Sequence, residues 1–126
     1  MYTYNVLVER VVDGDTVDIN IDLGFKIWSK QRVRLAGIDT AETSTPLGKA
    51  TKALLKGALE GKLVRMRFDK PDKYGRYLAA VWITSDLSVN DQLVVLGAAK
   101  PYSGESKAQL WTPQELAVDT IVGLLS

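Results

Sequence analysis

Residues Thr16–Leu23 (TVDINIDL) decide the fold, because polar and apolar residues alternate through the whole stretch. A period of two puts the apolar side chains on one face of a β-strand and the polar ones on the other. The N-terminal residues Tyr2, Tyr4, Val6 and Val8 alternate with more polar neighbours in the same way. We therefore predict two half-buried strands at the start of the chain.

The segment between these strands, Asp13–Thr16 (DGDT), has the composition of a tight turn. Glycine and aspartate favour such turns, so the two strands are predicted to pair as an antiparallel hairpin. Three further segments have strand-like patterns: Gln31–Ile38, Leu63–Phe68 and Tyr77–Ile83. The chain thus contains five predicted strands.

Three segments carry helix signals. In Thr45–Gly61 a threonine N-cap is followed by proline and then by apolar residues at helical spacing. Val89–Leu96 reads as a second helix that ends before a glycine. The capping-box sequence Thr112–Glu115 predicts a third helix that runs toward Leu125.

The order of these elements predicts the fold class. Short alternating strands in the order three strands, helix, two strands, two helices favour an α+β fold over a parallel βαβ sheet. Five strands with a helix between the third and fourth match the OB barrel, which closes its sheet to avoid exposed edges. We expect one domain over residues 1–126, a five-stranded OB-fold β-barrel with about three helices.

Composition narrows the possible chemistry. The 126 residues, 46% hydrophobic and 25% charged, suit one globular domain. The chain has no Cys and no His, which excludes Ser-His-Asp and Cys-His catalysis, thiolate metal sites and a histidine base. No apolar run approaches the roughly 20 residues of a membrane span, and the N-terminus opens directly into a strand pattern. We expect no membrane span, no export leader, the cytoplasm as default location, and a monomer.

Charge is distributed unevenly along the chain. Residues 26–76 hold 13 of the 16 Lys and Arg but only 5 of the 15 acids, a local balance of +8, whereas the flanks together carry −7. Such a basic middle suits a protein that presents one positive face to a polyanion. Basic residues also simply solvate strands and helices, and the charge pattern alone favours neither explanation.

Five charged residues could support phosphodiester hydrolysis without histidine. The reaction needs a hard cation, a group that orients water, and positive charge on the phosphate. Asp15 and Asp39 lie at strand ends that antiparallel pairing could bring together, and carboxylate oxygens suit Ca²⁺ or Mg²⁺. Glu42 could orient the water, and Arg34 and Arg76 could bind phosphate oxygens. Taken singly, each has an ordinary explanation as a turn, loop or strand-surface residue.

Four segments in order resemble the staphylococcal (micrococcal) nuclease family across roughly Val11–Lys100. They are Val11–Thr16 (VVDGDT), Arg34–Glu42 (RLAGIDTAE), Asp72–Arg76 (DKYGR), and Val89-Asn90 with Leu93-Val94 and Gly97. A single fragment would be weak evidence, but the shared order and spacing are specific. The resemblance implies an OB-fold endonuclease that hydrolyses DNA, RNA or both with one Ca²⁺ ion.

The resemblance also implies a metal site and a water site. Asp15 and Asp39 correspond to the family's Ca²⁺-binding carboxylates, with the Thr40 backbone carbonyl as a further ligand. Asp13 would support the metal site without binding the ion itself, by contacting the residues that do. Glu42 would position or deprotonate the attacking water.

Phosphate contacts follow from the same resemblance. Arg34 and Arg76 would bind the scissile phosphate and stabilise its transition state, and Lys73 and Tyr74 would contact a terminal phosphate of the bound nucleotide.

The chain departs from the family pattern in two places. Ala41 replaces a proline that is usual in the family, and Tyr102 is the one approximate counterpart of the tyrosines expected after the second helix. Asn90 is interpreted as a buried amide that ties a helix to a loop rather than as a catalytic group.

Two alternatives remain open at this stage. One is an OB-fold module that has lost catalysis and binds nucleic acid or a protein partner. The retention of every charged catalytic position argues against it. The other is a metal nuclease of a different class with a lysine in its acidic core, whose α/β sheet fits the element order poorly.

Overall fold

The computed structural model describes residues 2–69, 71, 75–102 and 111–126. Within these residues the chain forms seven strands and three helices. In chain order they are β1 (Tyr2–Asp13), β2 (Thr16–Asp22), β3 (Trp28–Leu35), β4 (Ile38–Thr40), α1 (Pro46–Leu59), β5 (Leu63–Phe68), β6 (Tyr77–Trp82), α2 (Val89–Val95), β7 (Ala99–Pro101) and α3 (Pro113–Leu116).

Five of the strands close into a barrel in the order β1-β2-β3-β6-β5. Neighbouring strands are antiparallel except β3 and β6, which run parallel with Val33 beside Tyr77 and Leu35 beside Ala79. Closure satisfies the backbone hydrogen bonds of both outer strands and leaves the barrel without an open edge. The predicted α+β fold, a five-stranded OB-type barrel with three helices, is confirmed.

The alternating apolar residues fill the barrel interior. Those that are at most 1% exposed include Val6, Val8, Val17, Ile19, Val33, Leu35, Met66, Ala79 and Val81. Their polar neighbours along each strand face outward, as the period of two requires. The side chains on the outer surface of the barrel are therefore not required to fill the core, and their residue types are free to serve other purposes.

Helix α1 covers one end of the barrel. Its N-cap Thr45 accepts a hydrogen bond from Gly48 N, and Pro46 occupies the first turn, as predicted. Leu55 and Leu59 of α1 are fully buried in the core. At 14 residues it is the longest helix that the structure describes, and among the described ranges no helix has the length and apolar character needed to cross a bilayer.

The predicted strand Gln31–Ile38 is wrong as a single strand. β3 ends at Leu35, Gly37 turns the chain with a φ of 74°, and β4 begins as a separate strand. β4 pairs with β7 in a second, two-stranded sheet in which Asp39 lies opposite Lys100. Strands of three residues are too short for an alternating pattern, so this sheet was not predicted.

The predicted extension of the last helix toward Leu125 is also wrong. The capping box is present, but α3 ends at Leu116. Residues 118–122 (VDTIV) are mostly β-branched, and β-branched side chains and aspartate lower helix propensity. Ile121 still packs against the core, whereas Leu124 is 88% exposed.

Candidate active site

Arg34 binds two carboxylates that are distant in the sequence. Its Nη2 lies 3.5 Å from Asp15 Oδ2 and 3.6 Å from Asp39 Oδ1. Its Nη1 donates to the Leu35 carbonyl at 3.3 Å, and the residue is only 8% exposed. Asp15, Arg34 and Asp39, which the sequence predicts to share a site, therefore lie together. They come from the turn before β2, the end of β3 and the short strand β4.

The pairing of β2 with β3 brings Asp15 to Arg34. Thr16 lies opposite Arg34 in the ladder, and Leu35 N donates to the Asp15 carbonyl at 2.7 Å. Asp15 itself sits in the turn between β1 and β2, where Asp13 Oδ1 accepts from Asp15 N at 3.2 Å. Asp13 thus supports the turn that carries Asp15, a position consistent with the supporting role predicted for it.

The same turn approaches β4 closely at Gly14. A Cβ added at Gly14 would lie 2.9 Å from Thr40 Oγ1 and 3.1 Å from Thr51 Cγ2. Only glycine fits there without displacing a neighbour. The missing side chain therefore lets the turn that carries Asp15 pack against the strand that carries Asp39. Sequence reasoning interpreted this glycine only as a turn former.

Asp15 carries a strongly perturbed carboxyl group. Its pKa is raised from 3.8 to about 6, mainly by burial and then by the hydrogen bond and negative charge of Asp13. The charge of Arg34 and a hydrogen bond from Thr16, whose Oγ1 lies 3.1 Å from Asp15 Oδ1, act in the opposite direction. The ionised form of Asp15 is therefore costly in this fold, and added positive charge stabilises it.

These oxygens fit the hard divalent cation that the sequence implies. Asp15 and Asp39 converge on one nitrogen atom, and Ca²⁺ and Mg²⁺ prefer carboxylate, carbonyl and water oxygens. Within the part of the chain that the structure describes, no three acidic side chains form a metal-binding group. A cation at this position would accordingly be held by the two carboxylates, with backbone and water oxygens completing its ligands.

Glu42 lies on the loop between β4 and α1, and its side chain is exposed. The Glu42 carbonyl accepts from Thr45 N at 2.9 Å and from Thr45 Oγ1 at 2.6 Å. Gly48 packs so closely that a Cβ there would overlap the Glu42 carbonyl oxygen. The first turn of α1 therefore fixes the backbone of Glu42. It does so even though residue 41 is alanine, where the family that the sequence resembles usually has proline. Among the described residues the Glu42 carboxylate forms no ion pair.

Arg76 immediately precedes β6 and is exposed. Leu78, two residues further along the chain, lies beside Arg34 in the parallel β3–β6 pair. The other two predicted phosphate contacts, Lys73 and Tyr74, lie outside the described residues.

Tyr102 contacts Arg34, and Asn90 binds the backbone of β6 and of the turn after β3. The Tyr102 ring centroid lies 5.3 Å from Arg34 Cζ, and Tyr102 N donates to the Gly37 carbonyl at 2.9 Å. Asn90 is buried; its Oδ1 accepts from Val81 N, and its Nδ2 donates to the carbonyls of Ala36 and Ala79. The interpretation of Asn90 as a buried structural amide is confirmed. The contact between Tyr102 and Arg34 was not predicted, because it depends on the pairing of β4 with β7.

Comparison with known proteins identifies the family. The family model described as staphylococcal nuclease homologue matches residues 32–124. The chain belongs to the staphylococcal nuclease family. The resemblance found in the sequence is thus confirmed. The matched residues include Arg34, Asp39 and Glu42, whereas Asp15 precedes them, so its place beside Arg34 rests on the geometry described above.

Relatives of this nuclease family member include thermonucleases. It is 38% identical over 117 residues to the thermonuclease of Staphylococcus intermedius. The aligned region covers 86% of this chain and 62% of that thermonuclease. It is 37% identical over 106 residues to the thermonuclease of Staphylococcus hyicus, with coverage of 78% and 58%. An uncharacterized endonuclease of Escherichia coli O157:H7 is 34% identical over 95 residues, with coverage of 75% and 59%. The chain spans about three fifths of the length of these relatives.

Proposed function

We propose that this chain is a Ca²⁺-dependent nuclease that hydrolyses phosphodiester bonds in DNA, RNA or both. One observation carries the proposal: Asp15 and Asp39 converge on Arg34 in a chain that belongs to the staphylococcal nuclease family. Thermonucleases and an endonuclease among its relatives support the same reaction class. Without histidine or cysteine, the chain depends on carboxylates and guanidinium groups for this chemistry.

Asp15 and Asp39 would hold the ion, with the Thr40 carbonyl as a further oxygen and Asp13 fixing the turn beneath Asp15. When bound, the ion polarises a phosphate oxygen and adds positive charge where negative charge develops. The two carboxylates also hold the Arg34 guanidinium in one orientation, since each forms an ion pair with the same Nη2.

Arg34 and Arg76 would contact the scissile phosphate. A guanidinium group donates two parallel hydrogen bonds to phosphate oxygens and keeps its charge at any working pH. Arg34 is held rigidly by its ion pairs and by the Tyr102 ring, so little side-chain freedom is lost when it binds phosphate. Arg76 is exposed, comes two residues before the β6 residue that neighbours Arg34, and would complete the clamp, with Lys73 and Tyr74 on a terminal phosphate.

Glu42 would orient or deprotonate the attacking water. Its exposed carboxylate follows Asp39 by three residues, and its backbone is fixed by Thr45. A general base needs a defined position and access to solvent, and this loop provides both. The proton of the water would move to the Glu42 carboxylate as the water oxygen attacks phosphorus. The bond from phosphorus to the leaving sugar oxygen would break, and that oxygen would take up a proton from solvent.

The rival function is an OB-fold binding module that has lost catalysis. The convergence of the acidic and basic groups favours the nuclease, because binding alone needs no half-buried carboxylates beside a phosphate-binding arginine. The test is degradation of labelled DNA and RNA with Ca²⁺, with Mg²⁺ and with EDTA. We expect cleavage in Ca²⁺ that EDTA abolishes. Binding of both polymers without turnover in any metal would establish the module instead.

A further inference from the structure

A tryptophan flanked by two arginines lies on the outer face of strands β5 and β6. The Trp82 ring centroid is 5.2 Å from Arg67 Cζ and 5.7 Å from Arg65 Cζ. Both arginines come from β5, with Arg65 directly opposite Trp82 and Arg67 one outward position along the strand. Trp82 Nε1 donates to the Asp86 carbonyl at 3.2 Å, which fixes the indole on the β6 side.

The residues directly across from the two arginines on β1, and from Arg67 on β6, are uncharged. In the β1–β5 ladder Asn5 lies opposite Arg65 and Thr3 opposite Arg67, and in the β5–β6 ladder Ala80 lies opposite Arg67. Among the residues that the structure describes, neither arginine forms an ion pair, and Arg67 Nε has no hydrogen-bond partner. This face therefore carries two positive charges that no carboxylate of the described residues pairs with.

The face is continuous with the candidate active site. Along β6 the outward positions are Leu78, Ala80 and Trp82, and Leu78 lies beside Arg34. Four residues of strand span about 13 Å. A polymer chain whose phosphate is bound at Arg34 can therefore follow β6 to the indole without leaving the outer surface of the barrel.

The surroundings restrict the direction of that path. A groove of about 700 Å³ runs beside Arg65 and Trp82, but it is also lined by the carboxylate residues Asp22 and Asp86. These acids disfavour a polyanion in the groove. The route along β6 from Trp82 past Ala80 meets uncharged neighbours until Asp69, whose N donates to the Leu78 carbonyl at 3.1 Å. This route passes one acid, whereas the groove is lined by two, so it is the favoured one.

We propose that Arg65, Trp82 and Arg67 form a second binding surface for a single nucleic-acid strand, separate from the residues that act on the scissile phosphate. The indole stacks on an unpaired base, and the two guanidinium groups contact phosphates on either side of it. Aromatic stacking and guanidinium contacts accept any base sequence, so the surface adds affinity without sequence specificity. Duplex DNA would not fit, because its bases are already stacked on one another. The inference rests on the proposed function, since it assigns a second contact to the same substrate.

The experiment measures binding of the full chain to a fluorescein-labelled single strand of about 12 thymidines by fluorescence anisotropy in EDTA. EDTA prevents cleavage, so binding is measured apart from catalysis. We expect Trp82→Leu and the double variant Arg65→Gln, Arg67→Gln each to weaken binding about tenfold. The double variant should also lower the slope of log Kd against log salt by about 1.4, which corresponds to two lost phosphate contacts on a single strand.

The matched control is Lys52→Gln, Lys56→Gln, which removes the same charge from helix α1. It should change Kd by less than about twofold, because a local surface and not the net charge is responsible. Trp82→Tyr should retain most of the binding, and melting curves check that each variant is folded. The proposed surface would be overturned by equal Kd values for the wild type, the arginine variant and the lysine control. It would also be overturned if the wild type did not bind the strand.

Failure of the surface is distinguishable from failure of the proposed function. A wild-type chain that binds the strand in EDTA but cleaves nothing in Ca²⁺ refutes the nuclease and keeps the surface. A chain that cleaves DNA, while its arginine variant binds and cleaves long strands as well as the wild type does, refutes the surface and keeps the nuclease. If the surface is correct, the arginine variant loses more kcat/KM on long strands than on dinucleotides.

Discussion

Gly14 lies so close to Thr40 that a methyl group on Gly14 would come within 2.9 Å of Thr40 Oγ1. The contact joins the turn that carries Asp15 to the strand that carries Asp39. Asp15 and Asp39 both belong to the candidate active site. Gly14 has no functional side chain, yet its contact with Thr40 limits how far apart these two acids lie. Close packing at one point thereby determines the geometry of the site.

Gly14→Ala should destabilise the protein by about 1–3 kcal/mol, because the added carbon overpacks a contact with little room to relax. It should also weaken Ca²⁺ binding, since the turn and β4 are pushed apart. Thermal unfolding and a Ca²⁺ titration measure the two effects. Gly57→Ala is the control: nothing lies within 4 Å of its added carbon, and alanine within α1 should raise stability by about 0.5–1 kcal/mol. Unchanged stability and Ca²⁺ affinity in Gly14→Ala would show that the contact is not restrictive.

Asp15→Asn should stabilise the protein in EDTA above about pH 7 and change little below pH 3.8. The folded-state pKa of Asp15 is raised to about 6, so the native state holds a proton that the unfolded state releases from pH 3.8 upward. Stability that Asp15 contributes in acid is therefore lost as pH rises through about 6, whereas asparagine does not titrate. The gain should be at most about 3 kcal/mol. Urea unfolding across this pH range measures it, and parallel curves for the two proteins would contradict the raised pKa.

Arg34→Ala should lower turnover by orders of magnitude and also weaken the fold in EDTA. Its removal leaves Asp15 and Asp39 without the guanidinium that both contact. Because both carboxylates are half-buried, the loss should cost less than the roughly 3–5 kcal/mol of a fully buried ion pair. Ca²⁺ should restore part of this stability, because it supplies the missing charge. Chemical denaturation with and without Ca²⁺ separates the two contributions. A variant of wild-type stability in EDTA would show that the ion pairs do not matter to the fold.

Glu42→Ala should lower kcat by about 10²–10⁴, the usual contribution of a general base, with little effect on stability. The side chain is exposed, so its removal should change the free energy of unfolding by less than about 0.5 kcal/mol. Steady-state cleavage of a short DNA and thermal melting provide the two measurements. Glu9→Gln, at an exposed acid on β1, is the matched control. Equal rates for both variants would remove Glu42 from the reaction.

The barrel could be predicted from the sequence because its strands alternate, and α1 because its N-cap and proline are local signals. The parallel pairing of β3 with β6 and the sheet of β4 with β7 could not, since neither leaves a local pattern. The last helix was overextended because a capping box marks where a helix begins but not where it ends.

In the candidate site, too, some features follow from the sequence and others depend on how distant segments pack. The residue types and order predicted that Asp15, Arg34 and Asp39 belong together, and they do meet. The close contacts of Gly14 and Gly48 depend on how distant segments pack, so a sequence shows only glycines in turns or helices. The Arg65–Trp82–Arg67 arrangement depends on the register of β5 against β6, and its members read singly as ordinary surface residues.

Calcium titration calorimetry on the wild type, Asp15→Asn, Asp39→Asn and Asp18→Asn tests the central claim most directly. Asp18 is the control acid, because it pairs with Arg32 on the barrel wall away from the Asp15–Asp39 pair. We predict one Ca²⁺ ion per wild-type chain, at least about tenfold weaker binding in each site variant and wild-type affinity in Asp18→Asn. No binding by the wild type, or equal affinity in all four proteins, would contradict a shared metal site at Asp15 and Asp39.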